Sequence, residues 1–253
     1  MNFLRQLKQR NALLYWFGWF NIIAGLACVA GILVDDRQLL GVNRWLKPMK
    51  FYFSVGIMVW TMGWLLFYLD NSKKTRRYSG VIAFTMFFEN GLIILQAFRG
   101  TTSHFNITTA TNTLIFNLMG VLILIFIIAF ILVCIDFFRQ RQFNIPAGYV
   151  WGIRLGLLLF IIFSLEGGMM LGLLKHTVGA ADGTPGLPVV NWSKQYGDLR
   201  IAHFFGIHAL QILPLAGCYL IKSKQKMIMS AAIYFAVVMF VFIQALQGIP
   251  LIP

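Results

Sequence analysis

Two glutamates stand inside apolar stretches where an ionised group is costly: Glu89 in FTMFFENGLIILQAF and Glu166 in LLLFIIFSLEGGMMLGLL. Placing a charged side chain at membrane depth costs at least about 2.5–3.5 kcal/mol on insertion scales. A carboxyl kept there is expected to carry a proton, bind a metal or answer a cation. The plainer alternative is a protonated acid hydrogen-bonded to a neighbouring helix. Glu89 and Glu166 are therefore the candidate catalytic groups.

The four histidines, His104, His176, His203 and His208, all fall in or beside the same set of loops. Imidazole is a common ligand of zinc, copper and iron, with carboxylates as frequent companions. This makes a metal or haem site a candidate, set against hydrogen-bonding, loop or proton-handling roles. His203 and His208 are five residues apart, roughly 140° around a helix, so a site would recruit only one of them. His208 is the expected ligand, because it lies about 10 Å further into its helix than the helix start. His104, His176, Glu89 or Glu166 would complete the set from other segments.

Other polar residues recur at helical spacing. Thr85, Glu89, Gln96 and Arg99 share one face of a helix, as do Lys50, Ser54 and Thr61 on another. Gln211 shares a face with His208, and Arg200 stands just before their helix. Gln96, Arg99, Arg200, Lys50 and Gln211 are the expected lining of a pocket around the two acids. No phosphate loop, GxSxG elbow, paired CxxC or HxxxH element is present. Cys28, Cys134 and Cys218 sit singly in apolar runs, where thiols behave as small hydrophobes.

The elements that position these groups follow from composition. Of 253 residues, 59% are hydrophobic and 11% charged. A soluble domain carries about 25% charged residues, so a water-soluble globule is excluded. The net charge of +13 sits in short runs between apolar segments. That pattern orients a membrane protein and touches anionic headgroups, and it does not indicate nucleic acid. Seven windows are long and apolar enough to span a bilayer: 12–33, 51–69, 81–98, 114–135, 149–174, 201–221 and 227–246. The runs are continuous rather than alternating, so the fold class is all-α, a single domain of seven transmembrane helices. The first window is read as a retained span.

Lysines and arginines set the orientation. With the amino terminus cytoplasmic, twelve of the twenty-one fall on inner segments and eight on outer ones. The expectation is therefore N-terminus in and C-terminus out, in a plasma or inner membrane. Arg154, within the fifth span, is expected to snorkel to the inner interface. Trp16, Trp19, Trp60, Trp64 and Trp151 form an inner belt, with Trp45 and Trp192 an outer one. The third and fifth spans share Glu-x-Gly followed by a basic residue, a possible trace of duplication. The outer loops at 99–113 and 175–200 read as structured, with Asp198 placed to cap the sixth span and Asn106-Ile107-Thr108 matching a glycosylation sequon.

Polar groups thus concentrate in the outer half, over an apolar inner half. The first expectation is an outward-facing polar pocket built by spans two, three, five, six and seven. It would serve a membrane-embedded enzyme or a cofactor- or small-ligand-binding protein. The alternatives are a proton- or cation-coupled transporter and an assembly or scaffold subunit.

Overall fold

The computed structural model describes residues 3–183 and 186–252. Among them, seven helices are long and apolar enough to cross a membrane. They are α2 (Ala12–Val34), α3 (Leu46–Leu65), α4 (Ser72–Phe98), α5 (Ala110–Arg139), α6 (Ala147–Leu173), α7 (Leu199–Tyr219) and α8 (Lys224–Leu246). A short helix, α1 (Phe3–Arg10), precedes them. A bilayer leaves helices as the way to satisfy every backbone group internally, and the expected spans are found with small shifts at their ends. The largest shift is at α4, which begins nine residues before the apolar window. Asn71 caps it by accepting from the Lys74 amide, and its first turns carry Lys73, Lys74, Arg76 and Arg77. Apolar windows miss such charged turns because they belong to the headgroup zone.

The chain divides into two compact units, Met1–Ala129 and Phe130–Pro253, with the boundary inside α5. Internally the two are built alike. In the first, α2 and α3 pack closely, joined by a loop holding a two-stranded hairpin, β1 (Gln38–Leu39) and β2 (Val42–Asn43). A short turn then leads to α4, which packs on both. In the second, α6 and α7 pack closely, joined by a long loop whose strands β3 (Thr177–Val178) and β4 (Gly197–Asp198) pair antiparallel. A short turn then leads to α8, which again packs on both. The internal likeness matches spans one to three with spans five to seven. It does not match the third with the fifth, so the shared Glu-x-Gly of α4 and α6 marks no corresponding position.

Small residues make the close pairs. Gly148, Gly152 and Gly156 recur every four residues on α6 and face α7. A Cβ at Gly148 or Gly152 would run into the carbonyl oxygen of Ile221 or Leu213, and one at Gly156 would lie 2.8 Å from the Ala209 oxygen. Close backbone approach of this kind is how membrane helices associate where the hydrophobic effect offers little. In the first unit the partners are aromatic: Gly18 receives the Trp60 ring, Gly25 Phe53 and Gly31 Trp45. Trp60 also donates to the Tyr15 carbonyl at 3.1 Å. Trp60 and Trp45 therefore serve helix packing.

Arg154 meets the free carbonyls ending α5. It donates to Phe137 O at 3.0 Å and Gln140 O at 2.9 Å, and stacks near Trp151, Phe138 and Phe143. A cation at a helix C-terminus is favourable, so this residue fastens α6 to α5.

The glycine stripe makes a paired prediction. Gly152→Ala should destabilise by about 1–3 kcal/mol, lowering the thermal midpoint of the purified protein by roughly 2–12 °C. Gly168→Ala, with nothing within 4 Å of its added Cβ, should not. Equal melting of the two variants would refute the close α6–α7 approach.

Candidate functional site

In the first unit, one end gathers the loop between α2 and α3, the loop after α4 and the start of α3. Asp35 organises it. Its carboxylate takes Arg37 at 2.8 Å, Arg44 at 2.6 Å and the Trp45 indole at 2.8 Å. Arg37 above all, with Trp45 and Arg44, holds this carboxyl well below the usual carboxylate range. Arg44 also reaches Phe98 O at 3.4 Å, tying the hairpin loop to the end of α4.

Beneath this clamp lies Glu89. It is 1% exposed, and neither carboxyl oxygen has a hydrogen-bond partner. His104 Nε2 stands 3.9 Å from Oε1, too far for a hydrogen bond. The other ring nitrogen, Nδ1, lies 3.2 Å from Lys47 Nζ and 3.0 Å from Ser103 Oγ. An ammonium only donates, so Nδ1 accepts and the ring proton sits on Nε2, facing the carboxyl. Lys47, His104 and Glu89 thus form a short series from the partly exposed imidazole to a buried acid.

Polar pairs continue along α4 away from this end. Asn90 Nδ2 donates to Asn21 Oδ1 at 2.8 Å, and Asn21 Nδ2 donates to Phe17 O at 2.7 Å. Further along, Asn11 Nδ2 donates to Ser79 Oγ at 2.7 Å. Thr85 is fully buried and donates to Val81 O at 2.8 Å. Sequence reasoning passed over Asn11, Asn21, Ser79 and Asn90; their pairing across nearly seventy residues has no local signature.

Gln96 and Arg99 fasten a loop. Gln96 is fully buried, donates to Asn112 Oδ1 at 3.1 Å and accepts from exposed Arg99 at 2.7 Å. Asn106, 3% exposed, spends its amide on Thr101 Oγ1 and Thr102 O, so the sequon is not presented for glycosylation. Lys50 is half-buried on α3.

The second unit holds the other acid. The Glu166 side chain is 7% exposed, and its oxygens also lack a hydrogen-bond partner. His203 Nδ1 is 3.4 Å from Oε2 while donating to Phe163 O at 2.7 Å. The imidazole lies against Gly167, where a Cβ would come within 2.9 Å of Cε1.

The remaining candidates are occupied locally. His208 Nδ1 bonds Phe204 O on its own helix at 2.7 Å and its ring lies over Phe204. That removes the cost that singled it out as a ligand. Arg200 pairs with Asp198 at 2.6 Å and reaches Asn191 O, while Asp198 caps α7 as expected. Gln211 is half-buried on α7. Among the described residues, no three His, Cys, Asp or Glu side chains group as metal ligands. Each of the four imidazoles has a separate local partner. The chain matches no family model, no curated protein and no solved structure.

His176 holds a loop. Asp182 accepts from its Nδ1 at 2.6 Å and from its amide at 3.0 Å, and from the Thr177 amide at 3.0 Å. Burial alone raises the Asp182 carboxyl, but the bonds from His176 and Thr177 outweigh it and hold it below the usual range. A depressed carboxylate stabilises fully above its unfolded value, about 3.9, and that stability is lost as pH falls toward the lower folded value. Slow hydrogen exchange at the His176 and Thr177 amides should therefore persist down to about pH 4 and fade below it. In Asp182→Asn the protection should be reduced already at neutral pH. Protection indifferent to both acid and substitution would count against the clamp.

Proposed function

We propose that this membrane protein is a proton- or cation-coupled transporter whose coupling group is Glu89. The observation carrying this reading is a fully buried carboxyl with no hydrogen-bond partner, faced at 3.9 Å by an imidazole N–H. Proton relays and coupling ions in membrane proteins use intramembrane acids of this kind. His104 would pass protons between the aqueous side and Glu89, with Lys47 and Ser103 fixing the ring so that Nε2 faces the acid. Two internally similar three-helix units support the reading, because transporters are commonly built from repeats. Thr85 and the Asn11–Ser79 pair support it further, since they supply polar groups along α4 beyond the acid.

The hairpin loop and the loop after α4 would face outward, by the distribution of lysine and arginine, in a plasma or inner membrane. Anionic headgroups would meet the basic turns at the start of α4.

The test is flux in proteoliposomes under an imposed pH or cation gradient. Wild-type protein should carry coupled movement. Glu89→Gln should reduce it by at least about a hundredfold, the scale at which a positioned proton-transfer group contributes, and His104→Gln should slow it. Undiminished flux in folded Glu89→Gln would defeat the proposal.

A further inference from the structure

Asn90 adds an oxygen that a proton on Glu89 does not explain. Its orientation is fixed by a chain of bonds. Asn21 gives its amide hydrogens to Phe17 O, so its Oδ1 accepts from Asn90 Nδ2. That leaves Asn90 Oδ1 buried, 1% exposed and without a partner. It neighbours Glu89 on the buried face of α4, where both Glu89 oxygens are also unpartnered. One turn away on that helix, Thr85 spends its hydroxyl hydrogen on Val81 O, which leaves the lone pairs of Oγ1 available. A buried acceptor left unmatched is costly, and here three unmatched oxygens stand on two consecutive residues, Glu89 and Asn90.

Oxygen donors without thiolate or imidazole suit hard cations. Charge selects the valence: one carboxylate neutralises one positive charge, whereas a divalent ion would leave a net charge at membrane depth. We propose that Thr85 Oγ1, the Glu89 carboxylate and Asn90 Oδ1 form a dehydrated site for an alkali cation. The proposal rests on Glu89 as the coupling group and names the ion it takes. His104, with its N–H aimed at the same carboxyl and Lys47 behind it, then delivers the competing proton. Those two are the titratable groups found facing Glu89.

The experiment measures thermal unfolding of the purified full chain in sodium chloride against choline chloride at equal ionic strength. A ligand bound only by the folded state raises its stability with concentration. Sodium at a hundredfold excess over its Kd should raise the midpoint by roughly 5–10 °C relative to choline. Thr85→Val keeps the side chain's shape and removes the oxygen, and should shift the half-effective sodium concentration about tenfold upward. Thr85→Ser, which retains the oxygen, should restore it, and Glu89→Gln should abolish the sodium effect. Equal midpoints in sodium and choline would overturn the cation site. Proton flux that depends on Glu89 would still stand in that case, so the two failures are separable. A sodium effect retained in full by both Thr85→Val and Glu89→Gln would place the ion elsewhere and also overturn it.

Discussion

Helices in a bilayer gain little by hiding apolar surface from one another, because the lipid tails are as apolar as their side chains. What joins them here is close approach at glycine. Gly148, Gly152 and Gly156 bring the α6 backbone against carbonyls of α7 and of the turn after it, and Gly18, Gly25 and Gly31 admit the rings of Trp60, Phe53 and Trp45. Each unit is a glycine-joined pair with a third helix laid against it. The loops closing those pairs are in turn held by acidic anchors, Asp35 in one unit and Asp198 in the other. Without the close approach, neither the loop anchors nor the polar side chains set around them would keep their registers.

Against that framework the unpartnered acids stand out. Most polar groups are satisfied with little to spare: Gln96 by Asn112 and Arg99, Asn106 by Thr101 and Thr102, Arg200 by Asp198. Buried polar atoms in native proteins are nearly always bonded, and the exceptions call for an explanation. Here the exceptions are the oxygens of Glu89, Asn90 and Glu166. They coincide with the residues that sequence depth alone had marked as expensive, apart from Asn90.

The span count was legible because about twenty apolar residues in a row admit few other structures. Glu89 and Glu166 were legible for the same reason in reverse, as charges within those runs. The roles of Gln96, Arg99 and Arg200 were not, since a helical face shows which residues align but not whether a loop folds back to meet them. The bond from His208 to the Phe204 carbonyl one turn away was not legible from its depth along the helix. Asn21 and Asn90 were missed because their significance lies in their pairing, which depends on how α2 meets α4. The glycines of α6 recur at every fourth position in the sequence, but which helix they admit follows only from how α6 meets α7.

The two acids differ in the helix that carries them, and this bears on which one suits a coupled movement. Glu166 lies on α6, the helix joined by glycine to its neighbour, and its imidazole partner sits on that neighbour, α7. Shifting α6 would break a close-packed backbone contact along several turns, and packed interiors resist such deformation. Glu89 lies on α4, outside the glycine-joined pair, and its imidazole comes from a loop. The bonds linking α4 to α2 include single amide pairs, which exchange partners at small net cost because each contributes only about 1 kcal/mol. A proton or an ion arriving at Glu89 would alter the charge on a helix more lightly tied than the α2–α3 pair it packs against. The same event at Glu166 would act on a helix locked to its partner. Coupling requires that binding favour one arrangement over another, and a second arrangement of α4 breaks less packing than one of α6.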